Sequence, residues 1–323
     1  MCKVKTNNKP FLTYEQQVEK LVNEKGLIIN DKEFAIRLLK NYSYFDLVSG
    51  YKRPFKNKDG QYKVNTTIED LYALYCFDDN IRALFLKYIL KIEKKIKSLI
   101  SYSFCVTNGE EQTHYLNATK YNYNEKNQVD INRLISKLNN VINEPKEHPY
   151  IKHQIEKYQN VPLWVLMKAL TLGTVSKMYS YLLPQNQCLV SKEFEYVSEG
   201  MLIQMLDILS RVRNVCAHNE RLFDYKYIKG TIDDTDVHYI MNIPKKHGAN
   251  YVKGKNDLFA IVIVMKYLLE TEDFAEFIDT LDSYFNVLFS KTNNIQRTQL
   301  YKYMGFPTNW KEIKNCDKVV KVE

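Results

Sequence analysis

Glycine and proline are scarce, 10 and 8 in 323 residues, less than half of average usage. Turn-rich β-sandwiches and barrels consume both, so the shortage argues against them and an all-α fold is expected. Paired cysteines are missing too. Cys2, Cys76, Cys105, Cys188, Cys216 and Cys316 show no CxxC or other metal-ligand spacing, and no signal-peptide pattern precedes them. No metal site is therefore expected, and the thiols read as reduced, in the cytoplasm. No apolar run is long enough for a bilayer. The two most apolar stretches, 161–175 and 258–269, are interrupted by Lys168 and Lys266 and fall short of the ~20 residues a span needs. They read as buried helices, and no membrane partner is expected. The chain also lacks GxxxxGKS/T, GxGxxG and HExxH, which leaves nucleotide-driven, dinucleotide-dependent and zinc-protease activities unsupported; no cofactor is expected.

What is present is globular in composition, 45% hydrophobic and 26% charged. A net charge of +8 suggests a polyanionic partner. Lysine outnumbers arginine 38 to 8, however, among many Asn, Ile and Tyr, a mixture that an AT-rich coding sequence produces without selection for binding. Thr13 and Gln16 fit a capping box, opening a short helix that Gly26 stops, and Asp31 can cap a second. Thr67 begins a third. A long helix is predicted from Asp79 to about Phe104, with Leu84, Phe85, Tyr88, Ile89, Ile92, Ile96 and Leu99 on its apolar face. Further helices are expected at about 130–142 and 150–158, from Pro162 to about Leu183, from Ser198 to about Phe223, and over about 257–270 and 272–289. Residues 230–254 read as a polar insert. These pieces give a helical body with extensions: an N-terminal helical and loop module over 1–75, a bundle over 76–225, and over 226–323 the insert, the last helices and a basic, aromatic tail.

The chemistry concentrates in Arg213-Asn-Val-Cys-Ala-His218. The spacing alone is a weak signal, but arginine usage strengthens it: Arg211, Arg213 and Arg221 cluster around His218 in a chain that elsewhere chooses lysine. The planar, bidentate guanidinium suits phosphate or carboxylate. On one continuous helix Asn214, His218 and Arg221 share a face, while Arg213 lies about 140° from His218, so a working pair calls for the same motif from a second subunit across a two-fold axis. An imidazole and a guanidinium suit metal-independent RNA cleavage. The first moves a proton to or from the ribose 2′-OH or the leaving 5′-oxygen, and the second stabilises charge on the phosphoryl oxygens. The products would be a 2′,3′-cyclic phosphate and a 5′-hydroxyl. The alternative is structural: His218 caps or packs the helix end, and the arginines pair with Glu220 and Asp224.

The run Arg213-Asn-Val-Cys-Ala-His-Asn-Glu-Arg-Leu-Phe223 resembles the signature of the abortive-infection AbiD/AbiF-like proteins, bacterial phage-defence factors of the HEPN superfamily. Ser49-Gly-Tyr-Lys-Arg-Pro-Phe55, Ile92-Glu93, Pro162-Leu-Trp-Val165 with Leu172-Gly-Thr174, and Gly305-Phe-Pro-Thr-Asn-Trp310 agree in order. The resemblance implies a HEPN-type helical bundle with N-terminal and C-terminal helical extensions, and an endoribonuclease site formed by Arg213, Asn214 and His218, commonly across a homodimer. Glu93 and Arg221 are supporting candidates, Glu93 by orienting the arginine or histidine. It also implies a toxin-like activity restrained by an antitoxin RNA or protein, or by the absence of a phage trigger.

Lys52 and Arg53 on the early motif, and Lys91 and Lys94 on the long helix, are candidate RNA contacts. Tyr51, Phe55 and Tyr62 interleave with Lys52, Arg53 and Lys56 as in single-stranded RNA grooves, and core packing of the rings is an equal reading. Tyr301, Lys302, Tyr303 and Trp310 pose the same choice. The stripe of Lys87, Lys91, Lys94 and Lys95 also reads as a solvated face. Asp233, Asp234, Asp236 and His238 read as a solvated loop rather than a cation site. Beside the nuclease stands a catalytically silent RNA- or protein-binding regulator on the same scaffold.

Overall fold

A chain with few helix breakers can satisfy its backbone polar groups inside helices. The computed structural model describes residues 10–246 and 250–319, so that Cys2 lies outside it. It is 65% helical, and the all-α expectation holds. In chain order the helices are α1 (Tyr14–Asn23), α2 (Lys32–Tyr42), α3 (Ile68–Asn108), α4 (Gln112–Tyr115), α5 (Gln128–Asn143), α6 (Pro149–Tyr158), α7 (Leu163–Leu166), α8 (Leu172–Tyr181), α9 (Pro184–Ser191), α10 (Glu199–Ala217), α11 (Asp236–Ile240), α12 (Leu258–Leu268), α13 (Thr271–Lys291) and α14 (Arg297–Met304). A hairpin pairs β1 (Lys245–Lys246) with β2 (Asn250–Tyr251). No helix among the described residues is long and apolar enough to cross a membrane.

Two compact units emerge. The first joins the chain up to Asn80 with residues 282–301. The capping box at Thr13 forms, and the Asp31 carboxylate accepts the Phe34 N–H at 2.8 Å. After α2 the backbone continues as a π-helical turn over Ser43–Ser49, entered at Ser43 with φ of 57°. Tyr51 follows it into the core, where its hydroxyl donates to Asp78 at 2.7 Å. Phe55 and Tyr62 are buried as well, so the rings of this segment are core and form no stacking groove. Phe285 from the late segment packs on Phe77 and Tyr301, at 5.0 and 5.1 Å between ring centres. The buried Asp70 accepts from the Thr292 hydroxyl and, at 2.7 Å, from the Asn294 amide.

The second unit comprises residues 81–281 and the chain from Lys302. Its centre is α12, all of whose residues are buried. α10 packs along α8, α9 and α12. Within this unit Phe85 and Tyr88 of α3 meet Phe277 of α13 edge-on. Alongside them Lys87, Lys91 and Lys95 pair with Glu276, Asp273 and Glu270 at 2.9, 2.5 and 2.7 Å. The descending acidic numbers mark antiparallel helices, and three of the four stripe lysines face a neighbouring helix.

Several sequence expectations are corrected here. α3 runs unbroken from Ile68, with no new start at Asp79. The helix expected over 162–183 is two, because the Thr171 hydroxyl accepts the Thr174 N–H and caps α8. The insert is no solvated loop: Ile232, Val237, His238, Met241 and Ile243 are buried. His238 lies between the Thr235 N–H at Nδ1 and the Gly254 carbonyl, which its Nε2 meets at 2.9 Å, leaving neither nitrogen for a metal. Lys255 pairs with Asp234 at 2.5 Å. Trp310 and Tyr301 of the tail are core.

Candidate functional site

The helix carrying the Arg–His motif stops at Ala217. Asn219 takes a left-handed φ of 55°, the Glu220 N–H reaches back to the Val215 carbonyl at 3.0 Å and the Asn219 N–H to that of Cys216 at 3.4 Å. This is a Schellman turn, which satisfies the last carbonyls of the helix. Leu222 and Phe223 then drop into the core. His218 is the helix-capping residue, its N–H still bonded to the Asn214 carbonyl at 2.9 Å. Its side chain is exposed and makes no hydrogen bond among the described residues. Asn214, one turn earlier, is exposed too. Arg221 lies past the turn, so the expected shared face of Asn214, His218 and Arg221 does not form. Arg221 instead pairs with Asp224 at 2.6 Å.

Each of the three clustered guanidinium groups faces a carboxylate. Arg211 holds Asp207, with Nε 3.3 Å from an oxygen, and lies over the Tyr227 ring, whose hydroxyl donates to the same carboxylate. Burial pushes the Asp207 carboxyl up, but the Tyr227 hydroxyl and Arg211 together hold it below its ordinary range. Arg213 is part-exposed, and its Nε stands 3.8 Å from Glu93 of α3, too far for a hydrogen bond. The other Glu93 oxygen takes Lys97 at 2.7 Å. Glu93 is buried. It thus joins α3 to α10 and leaves part of the Arg213 fork open.

Beside Glu93 opens a hollow of about 470 Å³, with Lys94, Lys97, Trp164, Met167 and Lys168 in its wall. Lys94 is exposed and has no carboxylate partner among the described residues, whereas Lys91 is committed to Asp273. Trp164 and Lys168 are not among the sequence-predicted site residues; the one signal for them in the sequence is a tryptophan and a lysine four apart at a helix start. Lys52 and the exposed Arg53 belong to the first unit. A larger hollow of about 640 Å³ between α5 and α8 contains neither the Arg–His pair nor Glu93. The described residues hold no cluster of three metal-ligating side chains.

A family model described as Abi-like protein matches residues 37–224. No curated protein and no solved structure matches the chain significantly. The matched stretch runs from within α2 to just past the Schellman turn, taking in Glu93, Trp164, Arg213 and His218. It covers more than half of the sequence, so the chain belongs to the family of Abi-like proteins, which ties it to abortive infection, a form of defence against phage.

Proposed function

We propose that the chain is a metal-independent RNA endonuclease acting in abortive infection, with Arg213 and His218 as its catalytic pair. The observation that carries this reading is the state of the two side chains. The imidazole stands exposed and unbonded at a helix end, and the guanidinium is braced on one side by the buried Glu93 while staying open on the other. A buried, sealed histidine could not reach a phosphodiester. In the proposed reaction His218 exchanges the proton of the ribose 2′-OH or the 5′-oxygen, Arg213 stabilises the charge on phosphorus oxygens, and Asn214 supplies a polar contact on the imidazole's face. The axis angle of about 140° between Arg213 and His218 favours a site shared by two copies of the chain, with an antitoxin RNA or protein as the restraint. A silent regulator gripping phosphate through the arginine cluster is weakened by Arg211 and Arg221, which are spent on Asp207 and Asp224.

The test is cleavage of RNA by the purified protein with and without EDTA, followed by analysis of the ends. His218→Ala and Arg213→Ala should each lower the rate by at least about 100-fold, EDTA should leave it unchanged, and the ends should be 2′,3′-cyclic phosphate and 5′-hydroxyl. If neither wild type nor any mixture of subunits cuts RNA, the reading fails.

A further inference from the structure

The lysines of α3 divide into two sets. Lys87 and Lys91 are neutralised by Glu276 and Asp273 of α13, and Lys95 by Glu270 just before it. Lys94 and Lys97 turn to the hollow beside Glu93, where α7 and the turn after it supply Trp164 and Lys168. Lys97 is paired with Glu93, which leaves Lys94 and Lys168 as the positive groups there without a carboxylate partner among the described residues.

Trp164 is half exposed, whereas Trp310, the other tryptophan, is fully buried. An exposed indole that shares its hollow with Lys94, with Leu90 and Met167, and with Lys168, whose ammonium lies over the Tyr150 ring at 5.0 Å, fits neither core packing nor a plain solvated surface. Its volume lies within the range of small-ligand sites. At its edge Glu93 touches the candidate catalytic Arg213. From these placements we infer that the hollow is a subsite for one unpaired nucleotide of the RNA next to the scissile phosphate. The base stacks on Trp164, and Lys94 and Lys168 take the flanking phosphates. Stacking on a side chain needs a base out of its helix, so the substrate class is single-stranded RNA or a loop. The inference takes its ligand class from the nuclease reading.

The probe is a twelve-nucleotide single-stranded RNA added to the His218→Ala protein, so that binding is read without cutting. Because Trp310 is sealed, a saturable fall in tryptophan fluorescence reports Trp164. Trp164→Leu should abolish that fall and weaken binding about tenfold. Lys94→Gln with Lys168→Gln should flatten the dependence of log affinity on log salt by about 1.4, the value for two phosphates on a single strand. Binding without quenching and with unchanged affinity in Trp164→Leu overturns the subsite, as does equal quenching by a blunt duplex of the same sequence. The two readings fail separately. Quenching with no cleavage by wild type sinks the nuclease and keeps the subsite. Cleavage with the same KM in wild type and Trp164→Leu keeps the nuclease and sinks the subsite.

Discussion

Asn219 decides where the chain leaves α10 and so how His218 is presented. A left-handed φ is cheap for glycine, tolerated by asparagine and costly for a β-branched residue. Asn219→Gly should therefore leave the thermal midpoint within a degree or two. Asn219→Val should cost about 1–2 kcal/mol and lower activity further by moving the imidazole, as a melt and a cleavage assay on the two variants will show. Glu93 makes a second test. Its neutral form would leave Lys97, only 16% exposed, without a counter-charge, so Glu93→Gln should cost about 3 kcal/mol, in the range for breaking a buried pair. Glu93 touches no scissile group and is a positioning residue, so its variant should lose affinity and rate together. The motif residues were legible in the sequence as types and spacing. Their surroundings were not: Asn219 is a standard left-handed residue and could have been read as the stop, but the apolar period continuing through Leu222 and Phe223 masked it. Those two side chains are buried after the turn, from a different backbone direction.

At the scale of elements, the capped starts at Thr13, Asp31 and Ser198 were readable because a side-chain acceptor three residues before a helical N–H is local chemistry. The break at Thr171 uses the same chemistry, but the apolar pattern runs on across it and hides it. The insert shows the converse. Its polar composition hid a small core around His238, which stacks on Tyr251 at 4.8 Å. Burial holds the His238 imidazole below its ordinary value of 6.5, outweighing the Gly254 carbonyl and Asp234, which favour charge; Lys255 opposes it. The unfolded chain therefore binds the extra proton first. The stability contribution is complete above about pH 6.5 and is lost as pH falls from there through the lower folded value. Amides of 232–243 should exchange faster at about pH 5 than at about pH 7.5 relative to those of α12, after correction for intrinsic rates; equal protection at both would contradict this. Gly305 anchors the last motif by the same logic of close approach. It has φ of 78°, and a Cβ there would fall 2.1 Å from the Asp257 carboxylate, which caps α12 through the Ala260 N–H. Gly305→Ala should cost about 3 kcal/mol or more, measurable as a lowered denaturation midpoint.

At the scale of the whole molecule, the family match and the folded units have different limits. The match ends at residue 224, and the Arg–His motif with its turn ends there too. The second unit continues to α12, buried along its whole length, and to Trp310 and Ile313 beyond it. At ~1.5–3 kcal/mol for each buried aliphatic or aromatic side chain, the loss of α12 alone removes on the order of 15 kcal/mol. That equals or exceeds the net stability of an ordinary domain. The first unit is closed by Phe285 and Thr292 against Phe77 and Asp70, with Tyr301 packed on Phe285, so it too is built from both ends of the chain. A fragment ending at Tyr225 should therefore be produced without a cooperative melting transition and without RNA-cleaving activity, although it contains every residue of the proposed catalytic pair and of the hollow. Circular dichroism and limited proteolysis of that fragment beside the full chain make the check. A cooperative melt near that of the full chain would mean that α12 and the late segments are attachments rather than the core on which Arg213 and His218 are held.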